Sequence, residues 1–213
     1  MEDCLKGKTL VALGDSLMYG SLMGNEVTWV NKLGKKRGMT IYNYGINGNT
    51  VAWVAKGGNK RPMCERYGEM ADNADYVVVL GGANDFRLNV PIGSDDDRDP
   101  STFKGALNLL ISGLAAKYPK AKVLFLTNYR RSKRINDLGL DEYAYVAAME
   151  EVCAKRCVPC FNNYRNCGIS VIDPEQAPWA DEGTVLDGHP NLHFSDRAYD
   201  FLVPVYEKLL EEL

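Results

Sequence analysis

The sequence lacks several features, and each absence excludes a class of protein. None of its apolar runs is long enough to cross a bilayer, so we expect no membrane span. It has no excess of positive charge, because 25 lysine and arginine residues stand against 28 aspartate and glutamate residues. The formal net charge of −3 therefore argues against a nucleic-acid partner. The one notable basic cluster, Arg130, Arg131, Lys133 and Arg134, is interpreted as a solvated loop that follows a strand.

We also expect no secretion signal. The residues after Met1 are acidic and lead almost directly into an apolar run at Thr9, so we expect a cytoplasmic protein. A secreted chain that has lost its leader is the alternative. With 213 residues the chain is long enough for one domain with a buried core, and we predict a single domain over residues 1–213.

The six cysteines do not form the two paired C-x-x-C motifs that are typical of zinc ribbons and knuckles. Four of them cluster late in the chain: Cys153, Cys157, Cys160 and Cys167. Cys153 and Cys157 lie one helical turn apart in an apolar, alanine-rich segment, and Cys160 lies in the next strand-like run. We interpret these three as small buried hydrophobic side chains. We predict no metal and no other cofactor, with a zinc-stabilised module as the alternative.

Short apolar runs alternate with helical patterns along most of the chain. The runs are predicted as strands at residues 9–13, 40–44, 76–80, 122–127 and 159–163. Helical regions are predicted at about 25–36, 102–118, 141–157 and 196–212, and an irregular helical region at about 50–71. Strands separated by helices indicate an α/β fold, here a three-layer α/β/α sandwich with a flavodoxin-like, five-stranded parallel sheet.

Polar and glycine-rich motifs follow the first three predicted strands. A Gly-Asp-Ser tripeptide ends at Ser16, the segment Asn47–Thr50 contains Gly48, and the segment Gly81–Asp85 contains Asn84. Because loops at the carboxyl ends of parallel strands converge on one crevice, we expect a hydroxyl, a close backbone N–H group and an amide donor to meet there. Taken singly, each motif has a structural alternative, as a helix N-cap, a strand-to-helix turn or an Asx turn.

The only two histidines, His189 and His193, lie in a short loop before the last predicted helix, behind Asp187. An imidazole can take a serine proton near neutral pH, and a carboxylate fixes its tautomer. The order Ser…Asp…His along the chain is that of α/β hydrolases. Together with Ser16, these residues predict a nucleophile, a base and an acid at one edge of the sheet.

The motifs resemble the SGNH (GDSL-type) hydrolase family over nearly the whole chain, from Leu10 to about Leu202. The resemblance implies the SGNH hydrolase fold, no metal, and hydrolysis of esters or thioesters, often of lipids or acetylated sugars. It also implies that Ser16 is the nucleophile. The implied oxyanion hole consists of the backbone N–H groups of Ser16 and Gly48 with the side chain of Asn84.

The final family motif has an unusual spacing here, because one residue separates Asp187 from His189 where the family has two. In the family, the catalytic histidine precedes the last helix, and an aromatic or aliphatic residue six positions later packs beneath it. Tyr199 stands six residues after His193, whereas Ser195 stands six after His189. The resemblance therefore favours His193 as the base and Asp187 as the acid. The alternatives are His189 as the base, and a Ser–His dyad or another acid in place of Asp187.

These residues predict a metal-independent serine esterase that hydrolyses carboxylic esters through an acyl-enzyme on Ser16. The expected partner is a small-molecule ester with a short acyl group, including acetylated carbohydrate or lysolipid. Two alternatives use the same pocket: an acyltransferase that passes the acyl group to a second alcohol, and a non-catalytic binding module. The oligomeric state does not follow from the sequence.

Overall fold

The computed structural model describes residues 3–21, 23–55, 61–173, 175, 185–186, 189–190 and 193–213, with the backbone alone at 185–186 and 189–190. The strands, in chain order, are β1 (Thr9–Gly14), β2 (Thr40–Gly45), β3 (Tyr76–Leu80), β4 (Lys122–Leu126), β5 (Cys160–Phe161), β6 (Val185–Leu186) and β7 (His189–Pro190). The helices are α1 (Ser16–Tyr19), α2 (Trp29–Arg37), α3 (Met63–Arg66), α4 (Ala83–Arg87), α5 (Phe103–Lys117), α6 (Glu142–Lys155), α7 (Asn163–Asn166) and α8 (Asp196–Glu212). No helix within these ranges is long and apolar enough to cross a membrane.

The first five strands form one parallel sheet in the order β2-β1-β3-β4-β5. The register aligns one row of residues across the whole sheet: Tyr44, Leu13, Val79, Phe125 and Cys160. This strand order is that of flavodoxin-like folds, so the predicted fold class is confirmed. β6 and β7 pair as a separate antiparallel hairpin, which the sequence patterns did not predict.

Alternate residues of the sheet face two separate cores. Leu10 and Ala12 of β1 lie in one core together with residues of α2 and α8. Val11 and Leu13 lie in the other core, to which α3, α5 and α6 contribute. Both faces of β1 are therefore buried, which explains why this strand is a continuous apolar run and does not alternate with polar residues. The three layers are helices, sheet and helices.

Most predicted elements agree with the observed ones, and the fifth strand is shorter than predicted. The irregular helical region predicted at 50–71 contains α3 and a 3-10 turn at Tyr67–Glu69 among its described residues. The strand predicted at 159–163 contains only the two residues of β5. α7 begins directly afterwards, because the Asn162 side chain accepts a hydrogen bond from Arg165 N–H and acts as a helix N-cap.

Cys157 requires a correction to the interpretation of the cysteines. Cys153 is fully buried and Cys160 is half-buried, but Cys157 is exposed. α6 ends at Lys155, and Cys157 then has a φ of 54°, so its side chain does not continue the buried face of the helix. The described part of the chain contains no group of three or more histidine, cysteine, aspartate or glutamate side chains placed to hold a metal ion.

Candidate active site

The carboxyl ends of β1, β2 and β3 bring the three predicted motifs to the same edge of the sheet. β1 lies between β2 and β3, so the strand order reverses there, and open α/β sheets bind ligands at such a reversal. Ser16 follows β1, Gly48 follows β2 and Asn84 follows β3. The topology therefore explains how segments distant in sequence contribute to one crevice.

Ser16 and His193 form a hydrogen bond between residues that are 177 positions apart. His193 Nε2 lies 2.7 Å from Ser16 Oγ. Burial, reinforced by the positive charge of Arg131, lowers the pKa of His193 to about 3. The imidazole is therefore neutral at pH 7 and can accept the hydroxyl proton of Ser16.

The N-terminus of α8 determines where His193 lies. The Ser195 side chain is the N-cap of this helix and accepts a hydrogen bond from Ala198 N–H. In the first turn, the hydroxyl of the buried Tyr199 donates to the Leu17 carbonyl at 2.9 Å. Because Leu17 directly follows Ser16, the helix that presents the histidine is attached to the turn that presents the serine.

Ser16 is the first residue of α1, and its neighbours hold the backbone in a tight turn. The Asp15 carboxyl group accepts a hydrogen bond from Leu17 N–H at 2.9 Å and is the N-cap of α1. Asp15 is buried, and burial raises its pKa. The turn packs closely against the end of β2, where a Cβ atom on Gly45 would lie 2.3 Å from Tyr19 N. Only glycine fits at that position.

The donors predicted for an oxyanion hole lie in the loops at this edge. Gly48 lies in a tight turn and has a φ of 74°. Asn49 N–H donates a hydrogen bond to the Ile46 carbonyl at 3.1 Å and closes the turn, which has the geometry of type II. Asn84 Nδ2 donates to the Asn49 carbonyl at 3.0 Å, which orients the amide and leaves its second hydrogen for a ligand. Among the described residues, no acceptor bonds to the backbone N–H groups of Ser16 and Gly48. Each of the three groups therefore has a hydrogen that no acceptor among the described residues occupies.

Arg66 connects these loops, and the sequence patterns did not identify it. Its buried guanidinium donates from Nε to Asn49 Oδ1 at 2.7 Å, and from Nη2 to the carbonyls of Gly14 and Tyr44 at 3.0 and 2.6 Å. Burial lowers the pKa of Arg66 to about 10, so the group is still charged at neutral pH. Arg66 thus ties the ends of β1 and β2 to the residue whose carbonyl orients Asn84. The sequence alone does not distinguish Arg66 from an exposed arginine in the same irregular segment.

Asp85 is a second buried group whose role was not predicted. Its carboxyl oxygens accept hydrogen bonds from Val51 N–H at 3.0 Å and from Ala52 N–H at 2.9 Å. Burial raises the pKa of Asp85 to about 7, while the two N–H groups act in the opposite direction. Asp85 therefore fastens the segment that follows the Gly48 turn to α4. The sequence feature that could have indicated a role for Asp85 is its position directly after Asn84 in a glycine-rich motif.

Two of the predicted site residues have no described side chain. Asp187 lies outside the described residues, and its assignment as the acid stays a prediction. His189 is described only through its backbone in β7, which pairs with β6. Of the two histidines, His193 is the one that the structure shows in contact with Ser16.

Solved structures resemble this chain over nearly its full length. One crystal structure is 32% identical, covers 98% of both chains and has a TM-score of 0.87. A protein from Lactobacillus plantarum is 26% identical, covers 97% of this chain and 98% of its own, and has a TM-score of 0.84. The inhibitor-bound aryl esterase of M. smegmatis is 15% identical, covers 97% of this chain and 100% of its own, and has a TM-score of 0.69. At that identity, the last similarity shows a shared fold.

The sequence also matches a family model. A search of the curated proteins finds no match to the chain. The model of the GDSL-like Lipase/Acylhydrolase family, however, matches residues 12–201, which include the motifs of all three strands and His193. This match covers most of the chain, and the chain therefore belongs to the GDSL-like lipase/acylhydrolase family.

Proposed function

We propose that the protein is a serine esterase that hydrolyses carboxylic esters through an acyl-enzyme on Ser16. The hydrogen bond between His193 Nε2 and Ser16 Oγ carries this proposal. A neutral imidazole in contact with a serine hydroxyl is the arrangement that activates serine as a nucleophile. Membership of a family of lipases and acylhydrolases supports the same class of reaction.

In the first half of the proposed reaction, Ser16 Oγ attacks the acyl carbonyl carbon while His193 takes the hydroxyl proton. The carbonyl oxygen becomes an oxyanion, which the N–H groups of Ser16 and Gly48 and the amide of Asn84 bind. The bond from the acyl carbon to the alcohol oxygen then breaks, and His193 gives its proton to the leaving alcohol. Donors fixed in place before the reaction stabilise the developing charge without reorganisation.

In the second half, His193 removes a proton from water, and the resulting nucleophile attacks the acyl carbon of the acyl-enzyme. The carboxylic acid leaves, and the proton returns to Ser16 Oγ. We propose that Asp187 orients the imidazole during both halves, and that no metal or cofactor takes part. We also propose short acyl groups, as in acetylated carbohydrate, with lysolipid, whose acyl chain is long, as the alternative. The absence of a long apolar segment that could cover a long acyl chain supports this choice.

The variant Ser16→Ala tests the proposal. Loss of a triad nucleophile costs on the order of 10⁶ in kcat in subtilisin, so we expect nearly complete loss of turnover and of labelling by a serine-reactive phosphonate. The matched control is Ser94→Ala, which changes an exposed serine and should leave both unchanged. Retention of more than about a tenth of the turnover by Ser16→Ala would overturn the assignment. Rates on an ester series from acetyl to palmitoyl would define the acyl preference.

A further inference from the structure

A small cleft lies between α4 and the loop 130–138. Its volume is about 60 Å³, and Phe86, Arg87, Arg134 and Ile135 are among the residues that line it. We infer that this basic cleft binds a negatively charged group, a carboxylate or a phosphate, carried by the ester substrate. The inference rests on the proposed function, because it names the substrate class of the same site.

The basic cleft adjoins the oxyanion donor proposed above. Arg87 lies one helical turn after Asn84 in α4, and Arg87 Nε is 3.4 Å from Asn84 Oδ1. The loop on the other side of the cleft also extends to the proposed base, since the charge of Arg131 acts on His193. A substrate whose carbonyl oxygen meets Asn84 can therefore place a charged substituent in the cleft.

The charges of the basic cleft are available to a ligand. Arg87 and Arg134 are exposed, and neither forms an ion pair with a carboxylate among the described residues. The carboxylate in the cleft wall, Asp137, is already hydrogen-bonded. Asn89 Nδ2 donates to Asp137 Oδ2 at 2.9 Å, and Asp137 N–H donates to Asn89 Oδ1 at 2.8 Å. Asn89 carries no charge, so the Asp137 carboxylate stays negative and offsets one of the two guanidinium charges. The two arginines outnumber the one carboxylate in the lining, and the cleft keeps a net positive charge.

A larger surface cavity shows the opposite arrangement. It measures about 460 Å³ and is lined by residues of α2 and α8, with Lys32 and Lys36 among them. Lys32 Nζ lies 2.6 Å from an Asp196 carboxylate oxygen, and Lys36 Nζ lies 2.6 Å from one of Glu207. Its lysines are neutralised by the protein itself, whereas the arginines of the basic cleft are not.

The loop that carries Arg134 is anchored to the rest of the protein. The buried Glu142 accepts hydrogen bonds from the N–H groups of Arg131 and Ser132 at 2.9 and 3.0 Å. Further along, Asn136 Nδ2 donates to the Phe86 carbonyl of α4 at 3.1 Å. A fixed backbone lowers the entropic cost of binding, so less of the loop has to be ordered when Arg134 meets an anion.

The test compares esters that differ in one charge. In the first pair, a terminal carboxylate or carboxamide ends the acyl part, as in the 4-nitrophenyl monoesters of adipic and adipamic acid. In the second pair, it ends the alcohol part, as in the O-acetyl derivatives of 4-hydroxyphenylacetate and its amide. We expect wild-type kcat/KM to be about tenfold higher for the carboxylate member of at least one pair, because a charge-assisted hydrogen bond forms only with that member. A third ester with a terminal phosphate in the same position is assayed as well. Its kcat/KM, compared with that of the carboxylate ester, shows which of the two anions the cleft prefers.

Arg134→Gln should lower that carboxylate-to-carboxamide ratio by about tenfold and leave kcat/KM for the carboxamide unchanged. Lys120→Gln removes an equal charge from an exposed site and should leave the ratio unchanged. Equal rates on both members of both pairs would overturn the inference, as would an equal loss on both members in Arg134→Gln. These outcomes leave the esterase proposal standing, whereas absence of hydrolysis of every ester by the wild-type protein would overturn both.

Discussion

The proposed nucleophile side of the site is built differently from the proposed base side. Ser16, Gly48 and Asn84 each follow a strand of the same sheet, so the hydrogen-bonded register of three strands sets their spacing. Arg66 and Asp85 then connect the loops through buried hydrogen bonds. These bonds hold the loops that carry the proposed oxyanion donors.

The base side depends on the packing of one helix. His193 belongs to no strand and lies three residues before α8. The helix is attached near the nucleophile through the hydrogen bond of Tyr199 to Leu17. The comparison teaches that the positions of the proposed oxyanion donors follow from the sheet, whereas the contact between serine and imidazole follows from the docking of α8. The kinetic effects of substitutions on the two sides should therefore differ in size and in kind.

The largest effect is expected on the base side. His193→Ala should lower kcat by a factor on the order of 10⁶, as for the base of a serine protease triad, because no other group then takes the Ser16 proton. His189→Ala should leave most of the turnover. Initial rates with a short-chain ester measure both, and unfolding midpoints confirm that each variant is folded. The reverse order of the two variants would move the base to His189.

The same assay examines Asp187. An acid that only orients the imidazole contributes less than the base itself, so Asp187→Asn should give an intermediate loss, on the order of 10⁴ in kcat. An unchanged rate would mean that the serine and the histidine act as a dyad.

A smaller effect is expected on the nucleophile side. Removal of one oxyanion donor costs about 10²–10³ in kcat, so Asn84→Ala should lower kcat by that factor and change KM little. The remaining N–H groups of Ser16 and Gly48 account for the residual rate. Steady-state kinetics on one short acyl ester separate the two parameters. A change confined to KM would instead assign Asn84 to ordinary substrate binding.

The sequence predicts the parts of this molecule that depend on local patterns. Long apolar runs locate β1 and β3, and the glycine-rich motifs after them locate Ser16 and Asn84, because strand ends of a parallel sheet share one edge. The contact of His193 with Ser16 agrees with the register that places Tyr199 six residues after it, while the role of His193 as base stays a prediction.

Contacts that join distant segments could not be predicted in this way. Arg66 donates hydrogen bonds to the carbonyls of Gly14 and Tyr44. Every residue has a backbone carbonyl, so no sequence pattern indicates which carbonyls an arginine will bind. Cys157 was assigned to a buried helical face because periodicity alone does not show that α6 ends at Lys155.

The smallest of these effects, and the most informative about the comparison, concerns Arg66. Arg66→Lys keeps the charge but loses the planar fork, so the ammonium group cannot reproduce the bonds to Asn49 Oδ1 and to both strand-end carbonyls. Asn49 in turn orients Asn84, so we expect kcat to fall about tenfold while KM changes little. The phosphonate labelling rate should fall in parallel. Arg61→Lys, at an exposed arginine five residues earlier, is the matched control.

A purely structural Arg66 would behave differently. The lysine variant would then lose stability, by about 1–3 kcal/mol for buried hydrogen bonds left unmade, yet its folded fraction would turn over at the wild-type rate. Measurement of kcat per folded molecule, well below the unfolding midpoint, distinguishes the two cases. A wild-type kcat would show that the sheet alone positions the oxyanion donors. A lowered kcat with an unchanged KM would show that the buried Arg66 positions the proposed oxyanion donors for the transition state.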